Sequence, residues 1–434
     1  ESQEEDCGDG VTTTMLLCGS FLIEANNLFR KGIHPLTLVE GYAISLEACR
    51  SQIESDSIQT DESKLSFVVE TALSGKIAES AVGSLSPIIV EALNTVEKNR
   101  GHASAENVSM FKSRKGSIRD SRLVKGVCLR RRILIEGLPN NIKDARVVCL
   151  DGDIKIREMT RDAELKISSA DDYEAFLQAE NDRKEQISGS IVESGANLVL
   201  CSGEIDKDIL HFLNDNGILA IGDLDSSELR NCSDATGARI LETALDICEE
   251  NLGICGSVVW ERGQDSDEVE DVIRILDCPS PSVVTIEVGG AGEAGTEEVI
   301  RGLHDSLRAA SLAIREEVLP GAGSIHSRMA RAVRESSEAQ SGRERLAMEA
   351  FARALETIPA TLVENAGGES LDRVLELRAS SKNDSVLGIS SDGKLEEINR
   401  IWHPRSVIAN SLESAAETAM GMLRIDQVIS ARGE

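Results

Sequence analysis

The sequence predicts an α+β/α/β multidomain fold, helical at both ends with an α/β region between them. Three observations predict it. Apolar residues recur at helical spacing up to Lys98 and again from Glu297 onward. Short apolar runs with strand character occupy the middle, between Val147 and Val288. The 434 residues are 41% hydrophobic, with no apolar run approaching the roughly 18 residues of a membrane span; this implies two to four globular domains, roughly, and no membrane partner.

Taken in order, Thr12 to Arg30 reads as an amphipathic helix that ends at Gly32, with Pro35 beyond as a stop signal. Leu36 to Ile53 repeats the pattern, and the polar stretch Glu54 to Glu62 links it to a helix over Lys64 to Lys76. Ala78 to Lys98 is again helical. Pro87 lacks an N–H and crowds the carbonyl four residues back, so it is expected to bend or break that helix. From about Val124 the texture changes. Val147-Val148-Cys149-Leu150, Leu198-Val199-Leu200-Cys201 and Ile218-Leu219-Ala220-Ile221 read as strands covered by helices, one of them Asp206 to Asn216. Val258 to Trp260, Val272 to Leu276 and Val283 to Val288 are further strands. Beyond Gly289-Gly290, Glu297 to Glu317 is helical, Pro320-Gly321-Ala322-Gly323 makes a turn, and helices dominate to the end. If the two ends form one domain, the middle is inserted within it and the flanking helices connect the two. No repeat of about 20–50 residues is present, which excludes a solenoid.

The net charge of −29 argues against sequence-independent nucleic-acid binding, which needs a basic surface to displace counterions. The basic cluster Arg130-Arg131-Arg132 is short, lies among acidic neighbours and reads as a solvated loop. Ten cysteines occur without a C-x-x-C pair or a histidine at metal-ligand spacing, as expected of reduced, mostly buried thiols in a cytoplasmic protein. Glu1 to Asp6 is acidic and polar, so no signal peptide is visible, and the absence of an initiating Met points to further upstream sequence.

The most informative motif is Gly8-Asp9-Gly10-Val11-Thr12-Thr13-Thr14, running straight into an apolar helix. Glycines let the backbone approach an anion, the helix start offers unpaired N–H groups, and the threonines add hydroxyls. Asp9 supplies a carboxylate for Mg²⁺, a hard cation. The same residues also suit an ordinary capped helix start. A P-loop enzyme is excluded, because G-x-x-x-x-G-K-[ST] occurs nowhere.

Further landmarks follow in the chain: Thr71-Ala72-Leu73-Ser74-Gly75-Lys76, Ser121 to Val127, Gly195-Ala196-Asn197, Ala235 to Ile240, His304-Asp305, Pro320 to Gly323, Glu364-Asn365-Ala366-Gly367 and Leu423-Arg424-Ile425-Asp426. In this order and spacing the sequence resembles the group II chaperonins, the thermosome and eukaryotic cytosolic chaperonin subunits, over essentially its whole length. The resemblance implies a chaperonin architecture: a helical equatorial ATP-binding domain (1–66 and 319–434), a hinge-like intermediate domain (67–127 and 283–318) and an inserted α/β apical domain (128–282). Within the apical domain, 167–194 would form a helical lid protrusion. Asp171 to Gln186 reads as a helix there, with Phe176 and Leu177 either apolar tips that meet a neighbour or client, or ordinary core.

The resemblance also implies site roles. Asp9 matches a magnesium ligand, Gly10, Val11, Thr12 and Thr13 a phosphate loop, and Asp305 the hinge acid that positions the attacking water. Gly321-Ala322-Gly323 matches a glycine turn beside the nucleotide, and Asn365 with the Gly388-Ile389-Ser390 turn falls where base and ribose are held. The family usually has Thr at Val11, Gly at Ala322 and acidic residues at Ser390 and His403. His403 reads as packed or solvated rather than catalytic. The family's further phosphate loops lie upstream of Glu1.

The resemblance thus implies an ATP- and Mg²⁺-dependent chaperone whose partners are other chaperonin subunits in a double ring and unfolded client proteins. An acidic chain suits a wet, poorly adhesive chamber wall. The alternative is a non-hydrolysing subunit that scaffolds or caps an assembly.

Overall fold

The computed structural model describes residues 2–113, 116–133, 137–156, 170–263, 271–290, 292–380 and 386–425. These divide into two compact units, Glu1–Val90 with Glu297–Glu434, and Glu91–Thr296. The chain opens with helices α1 (Ser2–Cys7), α2 (Val11–Phe29), α3 (Pro35–Asp56), α4 (Glu62–Leu73) and α5 (Glu79–Arg100). The start signals are local. The side chains of His34 and Asp61 accept from the N–H groups of Leu36 at 3.2 Å and Lys64 at 2.8 Å, capping α3 and α4. Pro87 does not break α5, which stays helical through Arg100. Leu85, Ile89, Ala92, Leu93 and Val96 are fully buried along it, and burial of this apolar stripe outweighs the one hydrogen bond that proline removes.

The middle carries β1 (Val108–Lys112), β2 (Arg122–Val124), β3 (Val127–Arg131), β4 (Asn141–Leu150), α6 (Ala170–Glu193), β5 (Leu198–Cys201), α7 (Lys207–Asp215), β6 (Leu219–Ile221), α8 (Ser226–Thr236), β7 (Ile240–Leu241), β8 (Gly253–Glu261), β9 (Asp271–Leu276) and β10 (Val284–Val288). A seven-stranded mixed sheet runs β3-β9-β8-β4-β5-β6, with β7 added to β4, and a three-stranded sheet runs β1-β10-β2. Strand period 2 explains the unbroken apolar runs. Val147 and Cys149 of β4 face one core while Val148 and Leu150 face another, and β5 divides Leu198 and Leu200 from Val199 and Cys201 in the same way.

One expectation is corrected in this unit, and another is met by a longer helix. Arg130 and Arg131 are not a solvated loop but the end of β3. Arg130 lies 5.3 Å over the Phe111 ring and Arg131 pairs with Glu228, because alternation turns the two to different partners. The helix expected over Asp171 to Gln186 runs farther, to Glu193, and presents Phe176 and Leu177 exposed at 41% and 39% rather than as core. The first residues of the expected protrusion, 167–169, and Asp426 of the last landmark lie outside the described residues.

The chain then continues through α9 (Glu293–Arg315), β11 (Val318–Pro320), α10 (Ser324–Ser337), α11 (Glu344–Leu355), α12 (Thr357–Asn365), α13 (Ser370–Ser380), β12 (Leu387–Ile389), β13 (Leu395–Glu397), β14 (Trp402–Pro404) and α14 (Arg405–Leu423). A stacked pair, Phe21 and Phe351 at 4.3 Å, and an edge-on Tyr42 at 5.1 Å from Phe351 join α2, α3 and α11 at the centre of the first unit. The Tyr42 hydroxyl donates to the Phe21 carbonyl at 2.7 Å, so its one buried polar atom is satisfied.

Candidate functional site

A glycine loop, a glycine turn, a hairpin and a helix start build the site in the first unit. Gly10 caps α2 with φ 87° and no side-chain cap, so the first N–H groups of that helix are left for a ligand. Gly8 lets the loop touch α9: a Cβ there would lie 2.5 Å from the Asp305 carbonyl oxygen. The antiparallel pair β11–β14 sets Leu319 opposite His403 and leads directly into Gly321-Ala322-Gly323. The Ile389 N–H donates to the Ala322 carbonyl at 2.9 Å, which ties the β12–β13 hairpin to that turn.

These elements enclose a cleft of about 470 Å³, walled by Asp9, Gly10, Thr13, Gly321, Ala322, Gly323, His326, Asn365, Ser390 and His403, with apolar surface from Ile358, Leu362, Ile389 and Ile401. A smaller cleft of about 280 Å³ shares Asp9, Gly10 and Thr13 and adds Val11, Thr12, Lys76, Arg301 and Asp305. Residues nominated from positions 9 to 403 therefore meet along one continuous edge. Gly388 lines neither cleft. A Cβ on it would fall 2.9 Å from the Ala322 Cβ and 2.6 Å from Ile398, so it packs behind the turn instead.

The electrostatics separate the two acids. Burial would raise the Asp9 carboxyl, but the His403 imidazole, the Lys76 ammonium and the Gly10 N–H beside it outweigh burial and bring it down to about 2. His403 Nδ1 is 3.6 Å and Lys76 Nζ 3.4 Å from the Asp9 carboxylate. Asp305, 8% exposed, is shifted the other way: burial pushes it up, and Lys76 offsets this only in part. Burial, with His403 nearby, pushes the His326 imidazole down to about 3, so it is neutral.

No group of three or more His, Cys, Asp or Glu side chains able to hold a metal occurs among the described residues. A metal at Asp9 must draw the rest of its shell from ligand and water oxygens. That donor set fits Mg²⁺, which takes few protein ligands and shares phosphate oxygens.

A model of the TCP-1/cpn60 chaperonin family matches residues 1–433. This chain belongs to the TCP-1/cpn60 chaperonin family. The chaperonin is 33% identical to thermosome subunit beta of Methanothermobacter thermautotrophicus, over 99% of this chain and 80% of that protein. It is also 33% identical to the thermosome subunit of Methanopyrus kandleri, over 100% of this chain and 81% of that protein. Among solved structures, an open-state monomer of a group II chaperonin from Methanococcoides burtonii matches with TM-score 0.67 and 27% identity, covering 96% of this chain and 100% of that one. The multidomain fold is thus that of a group II chaperonin subunit.

Three participants were not legible as site residues. Lys76 stood in the sequence only as the end of a landmark. Arg301 and His326 had no local signal, since a helical Arg among 46 basic residues, or one buried His, carries no mark of the cleft it lines. Thr14, the last residue of the Gly8–Thr14 motif, has its hydroxyl 3.0 Å from both the Gly10 carbonyl and Ser411 Oγ, so it serves the helix start.

Proposed function

We propose that this chain is an ATP-hydrolysing subunit of a double-ring chaperonin, and that its two clefts hold one nucleotide. The observation that carries the reading is the convergence of the nominated residues on two clefts that share Asp9, Gly10 and Thr13. The larger cleft, with apolar walls, Asn365 and Ser390, suits base and ribose, and Gly388 supports that wall from behind. The smaller one, with the open helix start, Lys76 and Arg301, suits the phosphates.

In this reading Asp9 holds Mg²⁺, which neutralises phosphate charge when bound. The N–H groups of Val11, Thr12 and Thr13 orient phosphate oxygens, and the Gly321-Ala322-Gly323 turn lets backbone approach them. Asp305 Oδ2 orients a water and takes its proton as the water oxygen bonds the γ-phosphorus and the bond from that phosphorus to the β–γ bridging oxygen breaks, releasing ADP and phosphate. The raised pKa of Asp305 makes it a better base than an ordinary aspartate, while Asp9 stays ionised. His403, where an acid is usual in the family, places an imidazole beside Asp9.

The three-domain division at 1–66, 67–127, 128–282, 283–318 and 319–434 is the frame for this chemistry: hydrolysis at the equatorial–hinge pair of segments drives the apical lid around an unfolded client. Other chaperonin subunits complete the ring, and the acidic chain works in the cytoplasm without nucleic acid or membrane as partner. No helix among the described residues is long and apolar enough to cross a membrane. The second reading, a non-hydrolysing scaffold subunit, is favoured by Ala322, whose methyl occupies a left-handed turn (φ 53°) beside the cleft.

Titration of ATP with and without Mg²⁺ into the protein and its Asp9→Ala variant tests the site. Magnesium should strengthen binding at least tenfold in the parent and far less in the variant, a tenfold change being about 1.4 kcal/mol. Equal magnesium dependence in both would remove Asp9 from the metal.

A further inference from the structure

We infer that Gln3 is a positioning residue for the magnesium-bound nucleotide: its side-chain amide pins the Asp9–Gly10 peptide and so aims the Asp9 carboxylate and the start of α2 at the ligand. The inference rests on the nucleotide reading of the clefts and deepens it. Gln3 itself lines neither cleft, so whatever it contributes to binding passes through the loop.

Gln3 stands in α1 and is 6% exposed. Its Nε2 donates to the Asp9 carbonyl at 2.8 Å and to the carbonyl of Val407, in the first turn of α14, at 3.2 Å. Both partners are acceptors, which fixes that end of the amide as the NH₂ group. Oε1 meets no donor among the described residues, so both hydrogen bonds of the side chain go to holding backbone in place.

The Asp9–Gly10 peptide is trans, so the Asp9 carbonyl and the Gly10 N–H point in opposite directions. With the carbonyl held against Gln3 and α14, the Gly10 N–H turns to the other side, where it meets the Asp9 carboxylate. A Cβ on Gly10 would lie 2.8 Å from Gln3 Nε2, so only glycine lets the amide come this close. The neighbouring carbonyls are held as well, Gly8 by Lys76 Nζ at 3.0 Å and Gly10 by the Thr14 N–H at 2.9 Å and hydroxyl at 3.0 Å. Gln3 thus supplies the hold on the residue whose carboxylate would bind the metal. Without it the peptide can turn, and the ligand must order the loop as it binds, which weakens binding.

The test is calorimetric titration of ATP, with and without Mg²⁺, into the parent protein, Gln3→Met, Gln3→Ser and Asn410→Leu, and into Asp9→Ala with and without the Gln3 changes. Asn410 is the control: its Nδ2 lies 3.3 Å from Cys7 Sγ, so it also ties α14 to α1 but leaves the Asp9 carbonyl alone. Met matches glutamine in length and lacks the donor. Ser leaves room for a water on the two carbonyls and so folds even where Met is not accommodated. The gain in ATP affinity that Mg²⁺ brings to the parent should fall about three- to tenfold in Gln3→Met, as loss of one hydrogen bond does, and at least about twofold in Gln3→Ser. It should stay within about twofold of the parent in Asn410→Leu. In the Asp9→Ala background the Gln3 changes should leave the gain where it is, because no carboxylate remains to aim. A gain that survives in both Gln3 variants would overturn the inference. So would an equal loss in Asn410→Leu, which would make Gln3 a tie between helices and nothing more. A parent that binds no ATP, or binds it without regard to Mg²⁺, would instead defeat the nucleotide reading itself.

Discussion

Lys76 Nζ stands 3.3 Å from Asp305 Oδ2. The same ammonium is 3.4 Å from Asp9 Oδ1 and 3.0 Å from the Gly8 carbonyl, so one cation joins the acid assigned to magnesium and the acid assigned to water. Through it, helix α9 and the loop before α2 are held in register without a direct contact between the two carboxylates.

Replacing Lys76 with Met leaves Asp305 buried without its cation. Because Lys76 lowers the Asp305 carboxyl against the upward push of burial, its loss should raise that carboxyl further. The acid limb of ATP turnover should move to higher pH, since the base must be deprotonated to work. Turnover at neutral pH should fall at least tenfold, within the range general-base catalysis supplies. Phosphate release measured across pH checks this, and an acid limb that stays in place would separate Lys76 from Asp305.

Ala322 holds a left-handed conformation, φ 53°, between two glycines. For a residue with a Cβ this costs about 1–2 kcal/mol, part of which glycine gives back through its freer unfolded chain. Ala322→Gly should therefore stabilise the protein by roughly 0.5–1 kcal/mol, read from the urea midpoint. A destabilised variant would mean that the methyl contributes packing that outweighs the strain.

Glu356, at the α11–α12 junction, is gripped by Arg334 of α10 at 2.7 and 2.8 Å and by Arg378 of α13 at 2.8 Å. Burial opposes its ionisation, yet the two guanidinium groups hold it below the usual glutamate range. A depressed carboxyl contributes stability above its unfolded pKa, about 4.3, and loses it as pH falls through the lowered folded value. Glu356→Gln should cost about 2–3 kcal/mol near neutral pH, since it leaves the guanidinium groups without their shared anion. The deficit should shrink below about pH 4. Denaturant melts at several pH values check it, and a pH-independent deficit would contradict the ionic account. The helices concerned carry Asn365 and follow the Gly321–Gly323 turn, so the clamp also steadies one wall of the larger cleft.

Long elements were legible because their periodicity is written over many residues. α2 and α3 begin and end within a few residues of the glycine, proline and cap signals, and β4 and β5 stand where the apolar runs lie. Strands of three residues, such as β11 and β14, carry no readable period; pairing with each other makes them strands, and it is this pairing that brings His403 to Asp9. Pro87 shows a local rule overruled by packing, and Arg130 with Arg131 shows a charge run absorbed by a strand edge. In the site, glycine-rich turns announced themselves through spacing and family resemblance. Lys76 and His326 did not, because their place in the clefts comes from residues far away in sequence that the fold brings beside them.

The most direct measurement is phosphate release from Mg-ATP by the assembled full-length protein beside its Asp305→Ala variant. Steady turnover in the parent, lost by at least a hundredfold in the variant while ATP still binds, is the result expected of a base acting on water. Absence of turnover in both, with rings intact and ATP bound, would contradict hydrolysis and leave the chain a scaffold subunit.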